Sequence, residues 1–545
     1  MSFWLSAVQN HLKKSLCIFT SFLLLLAQSA GIGVSIRGCY DSYLSMVSYS
    51  FYDPTVKINR TGTIDKTPGY TMYLAKNERE ACQIAFRMRA SRSKMQVSMT
   101  DFTDENGNVL PAQIFQEYYI QTDESSLLNS TYPDALVPVT QNSTCTMRAE
   151  NNTPFYISVR SDADTPSGLY TAQIHLENAN EDKEREKITV EVQAYVWDFT
   201  LPQTPSCTTS MGLNKYCIAK AHGVAPDSDE AQALYETYYE FLADHKVSPY
   251  NLPVDILSDE ADAYMSDPRI TSFVVPYSSD DALLQQYYAK VSSNEEWAKK
   301  AYFYPIDEPS SEAHFARYNE ITDRLQRLCP GYNMATPFFV DEIEIGGQTT
   351  TGIELQKGRS NIICSGSQMY ANKEHRQAVA DRVASGDRAW WYVCCAPKGD
   401  YCNLFTHWDG IKHRILFWQQ MDYDVEGLLY WDTTYWKDVH YDPWSSAWTT
   451  PWTGDDTYGD GSLLYNGNKF DINGPISSLR LEAVTNGIED YEYLTLAKLL
   501  LGEEYTDRII GKITKDLEHY TLSDAQFAAV RLELGRAIEG VVSAK

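Results

Sequence analysis

The sequence predicts a multidomain chain: an N-terminal β-sandwich, then a (β/α)8 barrel, then a C-terminal helical extension. Three observations predict it. At 545 residues the chain exceeds what one hydrophobic core organises, so two to four domains are expected. Residues 31–200 carry short alternating stretches, such as Met95–Met99 and Lys187–Val196, between turn signals at Glu105-Asn106-Gly107-Asn108 and Thr165-Pro166-Ser167-Gly168. From about residue 205 to 436 strand-like runs alternate with helix-like ones, eight strand candidates in all.

Residues 1–30 read as a signal peptide. Lys13 and Lys14 precede an apolar run from Leu16 to Ala27, followed by Gln28, Ser29 and Ala30. That run is roughly half of what a bilayer span requires, so no stable membrane insertion is expected after cleavage. The mature protein is expected to be exported, to the periplasm, cell surface or medium. Residues 31–203 form the predicted sandwich, which closes on Trp197-Asp198-Phe199-Thr200-Leu201-Pro202.

Residues 204–475 form the predicted barrel domain. Its strands are expected at Thr208–Leu213, Tyr250–Ile256, Thr271–Val275, Ala301–Ile306, Met334–Val340, Asn361–Ser365, Ala389–Cys395 and Gly427–Trp431. Helices are expected over Asp229–His245, Asp281–Lys300, Ser311–Leu328, Lys373–Ser385 and Gly410–Met421. Strands two and three are the weakest of the set, and a doubly wound sheet stays open, although no Gly-rich phosphate loop supports one. Residues 437–475, rich in Gly, Asp, Trp and Tyr, read as a long loop at the barrel mouth. Helical spacing returns over 476–545.

The net charge of −27 opposes phosphate backbones and anionic lipid, so nucleic-acid and membrane-surface partners are not expected. Ten cysteines follow the signal, scattered apart from Cys394, Cys395 and Cys402. Adjacent cysteines do not have zinc-ligand spacing, and buried free thiols are the plainer reading. Histidine forms no metal constellation, and no cofactor is expected. The loop around Gly454-Asp455-Asp456 and Gly459-Asp460-Gly461 could supply oxygen ligands to calcium, but a plain surface loop accounts for it as well. No Gly-x-Ser-x-Gly element suggests a serine hydrolase.

The chemistry concentrates at Tyr304-Pro305-Ile306-Asp307-Glu308-Pro309, where the fourth predicted strand delivers two adjacent acids to its C-terminal tip. Active sites of such barrels lie at that end. Paired carboxylates are the usual equipment for cutting a glycosidic bond. Successive strand residues face opposite ways, so both acids share a pocket only if the strand breaks, and Pro309 is placed to break it. Ser310 or Ser311 can cap the next helix. A capping Asp beside a solvated Glu is the plainer alternative. Nine of the twelve tryptophans fall between Trp390 and Trp452. A flat indole suits the apolar face of a sugar ring. Trp431 beside Asp432 at the eighth strand tip is the leading sugar-binding candidate, then Trp436, with Trp391 and Tyr370 also proposed. Several of the nine are expected in the core, including Trp418 and one of Trp390 and Trp391.

These blocks resemble glycoside hydrolase family 123, the β-N-acetylgalactosaminidases. The resemblance rests on Tyr304–Pro309, on Gly427-Leu428-Leu429-Tyr430-Trp431 with Trp436 and Asp442-Pro443-Trp444, and on a third block. That third block runs from Gly459-Asp460-Gly461 through Gly474-Pro475-Ile476 and Arg480-Leu481-Glu482 to Gly487–Leu494. The resemblance implies a sandwich followed by a barrel, and retaining exo-hydrolysis assisted by the substrate's own 2-acetamido group. It implies that Asp307 orients the acetamide and stabilises its developing positive charge, while Glu308 acts as acid and then base. The substrate expected is a carbohydrate with a terminal β-linked N-acetylgalactosamine. A β-N-acetylglucosaminidase, another glycosidase on the same barrel, and a non-catalytic carbohydrate-binding surface protein remain alternatives. The charged pairs Arg480/Glu482 and Glu489/Asp490 read as a structural ion-pair helix rather than as catalytic groups.

Overall fold

The computed structural model describes residues 46–122, 131–180, 187–340, 342–437, 440–444 and 456–544. The predicted signal peptide lies outside the described residues, as do Trp448, Trp452 and the Gly454-Asp455 pair.

The N-terminal region is rich in sheet. One sheet runs in the order Val47–Tyr52, Arg79–Met88, Asn152–Arg160, Ala112–Gln121, Thr131–Pro138, Pro475–Ser478 and Tyr465–Asn466. A second is built on Thr71–Lys76, Ile188–Thr200, Gly168–Asn178, Arg92–Met99 and Cys145–Met147. Alternation within these strands sends Phe51, Ile84, Phe86, Phe155, Val97, Ile174 and Val192 into one shared core. Two strands of the first sheet come from far along the chain. The stretch expected to be loop, 437–475, holds the strand Tyr465–Asn466, and the segment expected to be helical from 476 opens in strand: Ile476, Ser477 and Ser478 are buried, and Ser477 and Ser478 pair with Leu136 and Ala135.

The C-terminal region mixes α and β. Five parallel strands lie in the order Thr208–Met211, Gly427–Tyr430, Arg388–Val393, Ile362–Gly366 and Ala335–Phe338. Phe273–Val275 and Ala301–Phe303 form a separate parallel pair. A single parallel bridge, Phe303 to Met334, joins the two groups on one side, and another, Met211 to Pro249, ties the first strand to the segment before Tyr250. Eight continuously paired strands are thus not what is seen. No strand forms over Tyr250–Ile256; the chain touches its neighbours only around Ser248–Tyr250, through Tyr250 N to Met211 O at 2.8 Å and Val274 N to Tyr250 O at 2.7 Å. Pro253 lacks a ladder donor, and the following residues turn.

The expected helices are present at Asp229–Asp244, Glu312–Leu328, Lys373–Ala384 and Gly410–Asp422. The one expected over 281–300 is two, Asp281–Ser292 and Glu295–Lys300, because Asn294 caps a new start by accepting from Glu296 N and Trp297 N. The C-terminal helices Leu479–Leu501 and Asp524–Val542 lie against both regions, and one apolar core runs from Ala135 and Trp197 through Trp418 to Leu534.

Because the strands are parallel and in register, Met211, Tyr430, Val393, Gly366, Phe338, Val275 and Phe303 end at one edge. Residues that follow those ends share that edge, and the candidate acids are among them. Among the described residues no helix is long and apolar enough to cross a membrane.

Candidate active site

The strand that begins at Ala301 ends at Phe303, not at Ile306. Pro305 cannot donate to a ladder, so the chain leaves the sheet before the two acids rather than at Pro309. Asp307 and Glu308 therefore sit in a loop, and Glu308 adopts φ of +42°, a conformation rarely held by L-residues outside a constrained site. This backbone frees the two carboxylates from strand alternation. Ser311 then caps helix Glu312–Leu328 by accepting from His314 N.

Each acid has its own tyrosine. The Tyr304 hydroxyl donates to Asp307 Oδ1 at 2.7 Å. The Tyr392 hydroxyl donates to Glu308 Oε1 at 2.5 Å. Asp307 is exposed and Glu308 half-buried. Burial raises the Glu308 carboxyl above the usual range, the Tyr392 hydrogen bond pulls it partly back, and the Asp307 charge pushes it up again. Asp307 is the better solvated of the two, so the environments differ in the sense that an acid–base division of labour requires.

Beside the acids lies a cavity of about 450 Å³, lined by Gly212, Asn214, Lys215, Tyr250, Trp431 and Asp432 among others. Tyr250 links it to the acids: its ring meets Tyr304 edge-on at 5.9 Å, and its buried hydroxyl has no hydrogen-bond partner among the described residues. Gly212 is required here, since a Cβ would stand 2.0 Å from the Trp431 carbonyl oxygen. Asn214 works at both ends, accepting from Cys217 N to cap the helix Lys215–His222 and donating to Asp432 Oδ2 at 3.2 Å. Asp432 also accepts from Thr433 N and Thr434 N, both at 2.8 Å. Burial outweighs these bonds and pushes its carboxyl up to about 6.

Of the sequence candidates, Asp307, Glu308, Trp431 and Asp432 gather at this edge. Trp431 keeps part of its ring exposed, packs on Tyr435 at 4.8 Å, and donates through Nε1 to Asp460 at 3.0 Å. Trp391, Tyr370 and Trp436 differ from the expectation in their burial: all three are buried, which leaves no open ring face. Alternation along Arg388–Val393 turns Trp390 and Tyr392 inward, with Tyr302, Cys364 and Leu429, and Trp391 outward under the helices. There Trp391 meets Tyr370 edge-on at 5.6 Å. Trp436 instead donates to Leu464 O at 3.0 Å and anchors its own loop. The sequence reading missed Tyr250, Tyr304, Tyr392, Asn214 and Lys215. Asn214 follows the first strand tip, where site residues are expected, and could have been found there. Among the described residues no group of three or more His, Cys, Asp or Glu side chains is placed to hold a metal ion.

A mixed α/β domain bearing two adjacent acids, a partly exposed indole and a polar cavity at one strand edge has the equipment of a glycoside hydrolase, and the sequence match agrees. Residues 277–497 match glycoside hydrolase 123, catalytic domain. The chain is a glycoside hydrolase, and the domain it carries is the family 123 catalytic domain. Among solved structures it is similar to a family 123 glycoside hydrolase from Clostridium perfringens, described for the details of glycolipid glycan hydrolysis. The TM-score is 0.64 at 12% identity, covering 91% of this chain and 98% of that one. At that identity the likeness speaks for the fold. A GH5 xyloglucanase from Bacteroides ovatus also matches, at TM-score 0.25 and 7% identity, over 77% of this chain and 98% of that one. So does a glucosidase from Croceicoccus marinus, at TM-score 0.27 and 11% identity, over 52% and 67%. Neither carries any argument here. No curated protein matches the sequence.

Proposed function

We propose that this glycoside hydrolase releases terminal β-linked N-acetylgalactosamine from glycans or glycolipids, by retaining, substrate-assisted hydrolysis. The observation that carries the reading is the adjacent pair Asp307-Glu308, each acid held by a separate tyrosine, with Glu308 raised by burial. Two acids on neighbouring residues do not form the opposed pair, about 5 Å apart across the sugar, that a retaining enzyme with its own nucleophile uses. They suit a reaction in which the 2-acetamido oxygen attacks the anomeric carbon. In this reading Asp307 accepts from the acetamide N–H and stabilises the charge of the oxazolinium. Glu308, protonated at the start, gives its proton to the departing oxygen and then takes one from the incoming water. Trp431 supplies the sugar-facing surface and Asp432 accepts from a hydroxyl.

The architecture we infer is a (β/α)8 barrel over 204–475, preceded by a β-sandwich over 31–203 and followed by helices over 476–545. Support comes from the parallel pairings and bridges that link most of the predicted strand positions, the step from Tyr250 to Val274 resting on a single backbone hydrogen bond. The basic and apolar N-terminus supports export, and N-terminal sequencing of the secreted or periplasmic protein tests it.

The decisive experiment assays the protein on nitrophenyl β-N-acetylgalactosaminide and β-N-acetylglucosaminide, following the released anomer by NMR. Faster turnover of the galactosaminide with retained configuration is expected. An inverted anomer would sink the substrate-assisted route, preference for the glucosaminide would reassign the sugar, and no hydrolysis of either would sink the 2-acetamido reading. Glu308→Gln should lower kcat on poor leaving groups by about 10²–10⁴-fold, and much less on activated aryl glycosides. Asp307→Asn should lower both.

A further inference from the structure

We propose that Cys394 and Cys395 close a vicinal disulfide that forms part of the wall of the sugar site beside Glu308, a covalent platform for the apolar face of a pyranose. The site reading comes from the proposed function; the bond itself does not depend on it.

Among the described cysteines, Cys82, Cys207, Cys217, Cys329, Cys364 and Cys402 are buried, whereas Cys145, Cys394 and Cys395 are half-buried, against the expectation that the free thiols lie in the core. Of these three, Cys394 and Cys395 have their sulfurs against each other. They follow directly on Arg388–Val393, at the edge where the acids and Trp431 gather. Cys394 stands two positions beyond Tyr392, so the two share a face, and Cys394 packs against the inner cluster that holds Tyr392, as Tyr304 and Tyr250 do. Tyr392 is the residue that binds Glu308. The charges of Glu308 and Asp460 both act on the Cys395 sulfur, so it lies within electrostatic reach of the candidate acid and of the support of Trp431.

The sulfurs lie 3.8 Å apart and hydrogen-bonded to each other. That contact favours a thiolate at Cys395 and a thiol at Cys394. A lowered, partly exposed thiolate is the species that begins thiol–disulfide exchange. It attacks one sulfur of an external disulfide, oxidised glutathione for instance, and expels one glutathione thiolate. The Cys394 sulfur then attacks Cys395 in the mixed disulfide, releases its proton, and expels the second glutathione. Two cysteine thiols lose two electrons and two protons in all, and the external disulfide is reduced to two thiols. The Asn403 side chain, donating to Cys394 O at 2.9 Å, holds the backbone while the sulfurs close.

Adjacent Cα atoms are about 3.8 Å apart, nearer than the usual span across a disulfide, so the bond stores strain and reduces readily. The closed ring is rigid and apolar; the open dithiol is mobile and polar. Oxidation should therefore lower KM more than it changes kcat.

The test uses the full chain equilibrated with oxidised glutathione, alkylated, digested without reduction and weighed. The peptide holding Cys394 and Cys395 should be unlabelled and lighter by two hydrogens, and should take two labels after reduction. Alkylation of both sulfurs before reduction, or a bond from either to another cysteine, overturns the proposal. N-acetylgalactosamine at ten times its Kd should slow reduction of the bond by about tenfold, the factor by which it empties the free site. A disulfide whose reduction the sugar does not slow overturns its place in the wall. Hydrolysis of the nitrophenyl glycosides by the same sample tells whether the glycosidase reading falls with it. Cys394→Ser and Cys395→Ser should each abolish the dependence of KM on the glutathione couple; a dependence that survives in either variant overturns the assignment.

Discussion

Tyr392 donates to the charged form of Glu308, so its hydrogen bond lowers the acid's pKa while burial raises it. Removing the hydroxyl leaves burial and the Asp307 charge, both of which favour the protonated acid. In Tyr392→Phe the alkaline limb of kcat/KM should move to higher pH, read from a pH–rate profile; movement to lower pH would contradict the proton assignment. Trp431 has two jobs in this reading, since it lines the cavity and its Nε1 holds Asp460. Trp431→Phe keeps a flat ring and loses the bond, whereas Trp431→Ala loses both. We expect kcat/KM to fall at least about tenfold in the alanine variant, roughly 1.4 kcal/mol of binding, and less in the phenylalanine one. Equal losses would assign the effect to Asp460 rather than to a sugar contact. The two acids were legible because they stand together after an aromatic run. Their tyrosines were not equally so: Tyr304 is three residues from Asp307, but Tyr392 is 84 residues from Glu308 and meets it only through the sheet.

The element that positions the cavity is the approach of the first strand to the last. Gly212 lets Trp431 and Asp432 come in from the neighbouring strand end, and any side chain would collide with backbone, which cannot rotate away. Gly212→Ala should cost about 1–3 kcal/mol in overpacking and raise KM, checked by thermal unfolding alongside kinetics. Asn214 is similarly fixed by two partners of opposite kind. Asn214→Ala should lose a cap worth about 1 kcal/mol, while Asn214→Asp keeps the cap but sets a second carboxylate against buried Asp432. The aspartate variant should therefore be the less active of the two despite the better cap. Strand ends were the least legible feature. The apolar run through Ile306 looked continuous, and only the missing donor at Pro305 explains why pairing stops at Phe303.

At the scale of the molecule, buried ion pairs join the sheet-rich region to the helices that follow the catalytic edge. Arg480 binds Asp134 through both carboxylate oxygens, and Arg414 and Arg531 converge on Asp490 and Glu80. The charged helix is therefore a structural joint, and it joins the two regions rather than only closing one. Burial raises Asp134, but the charges of Arg480 and Lys57 overcome it and hold the carboxyl at about 2. A folded-state pKa below the unfolded one stabilises above the unfolded value, near 4, and is lost as pH falls towards 2. Acid unfolding should begin in that window and separate the two regions, seen as a loss of near-UV dichroism before the sheet signal. Arg480→Ala should cost about 3–5 kcal/mol, because it strands a buried carboxylate.

The sequence alone determined the class of elements, most of the strands and helices in the C-terminal region, and the two acids on which the chemistry is proposed to turn. Local physics suffices for these: periodicity, capping and strand-tip position are written within a few residues. Only the tertiary structure decided which tryptophan faces the cavity. Trp391, Trp431 and Trp436 have similar neighbours in sequence, yet alternation and loop anchoring bury two and leave one partly open. It also decided that Tyr392 reaches Glu308 and Tyr250 packs on Tyr304, and that residues 475–478 complete a sheet begun more than three hundred residues earlier. Those contacts depend on packing between distant segments, and no pattern within a segment encodes its partner.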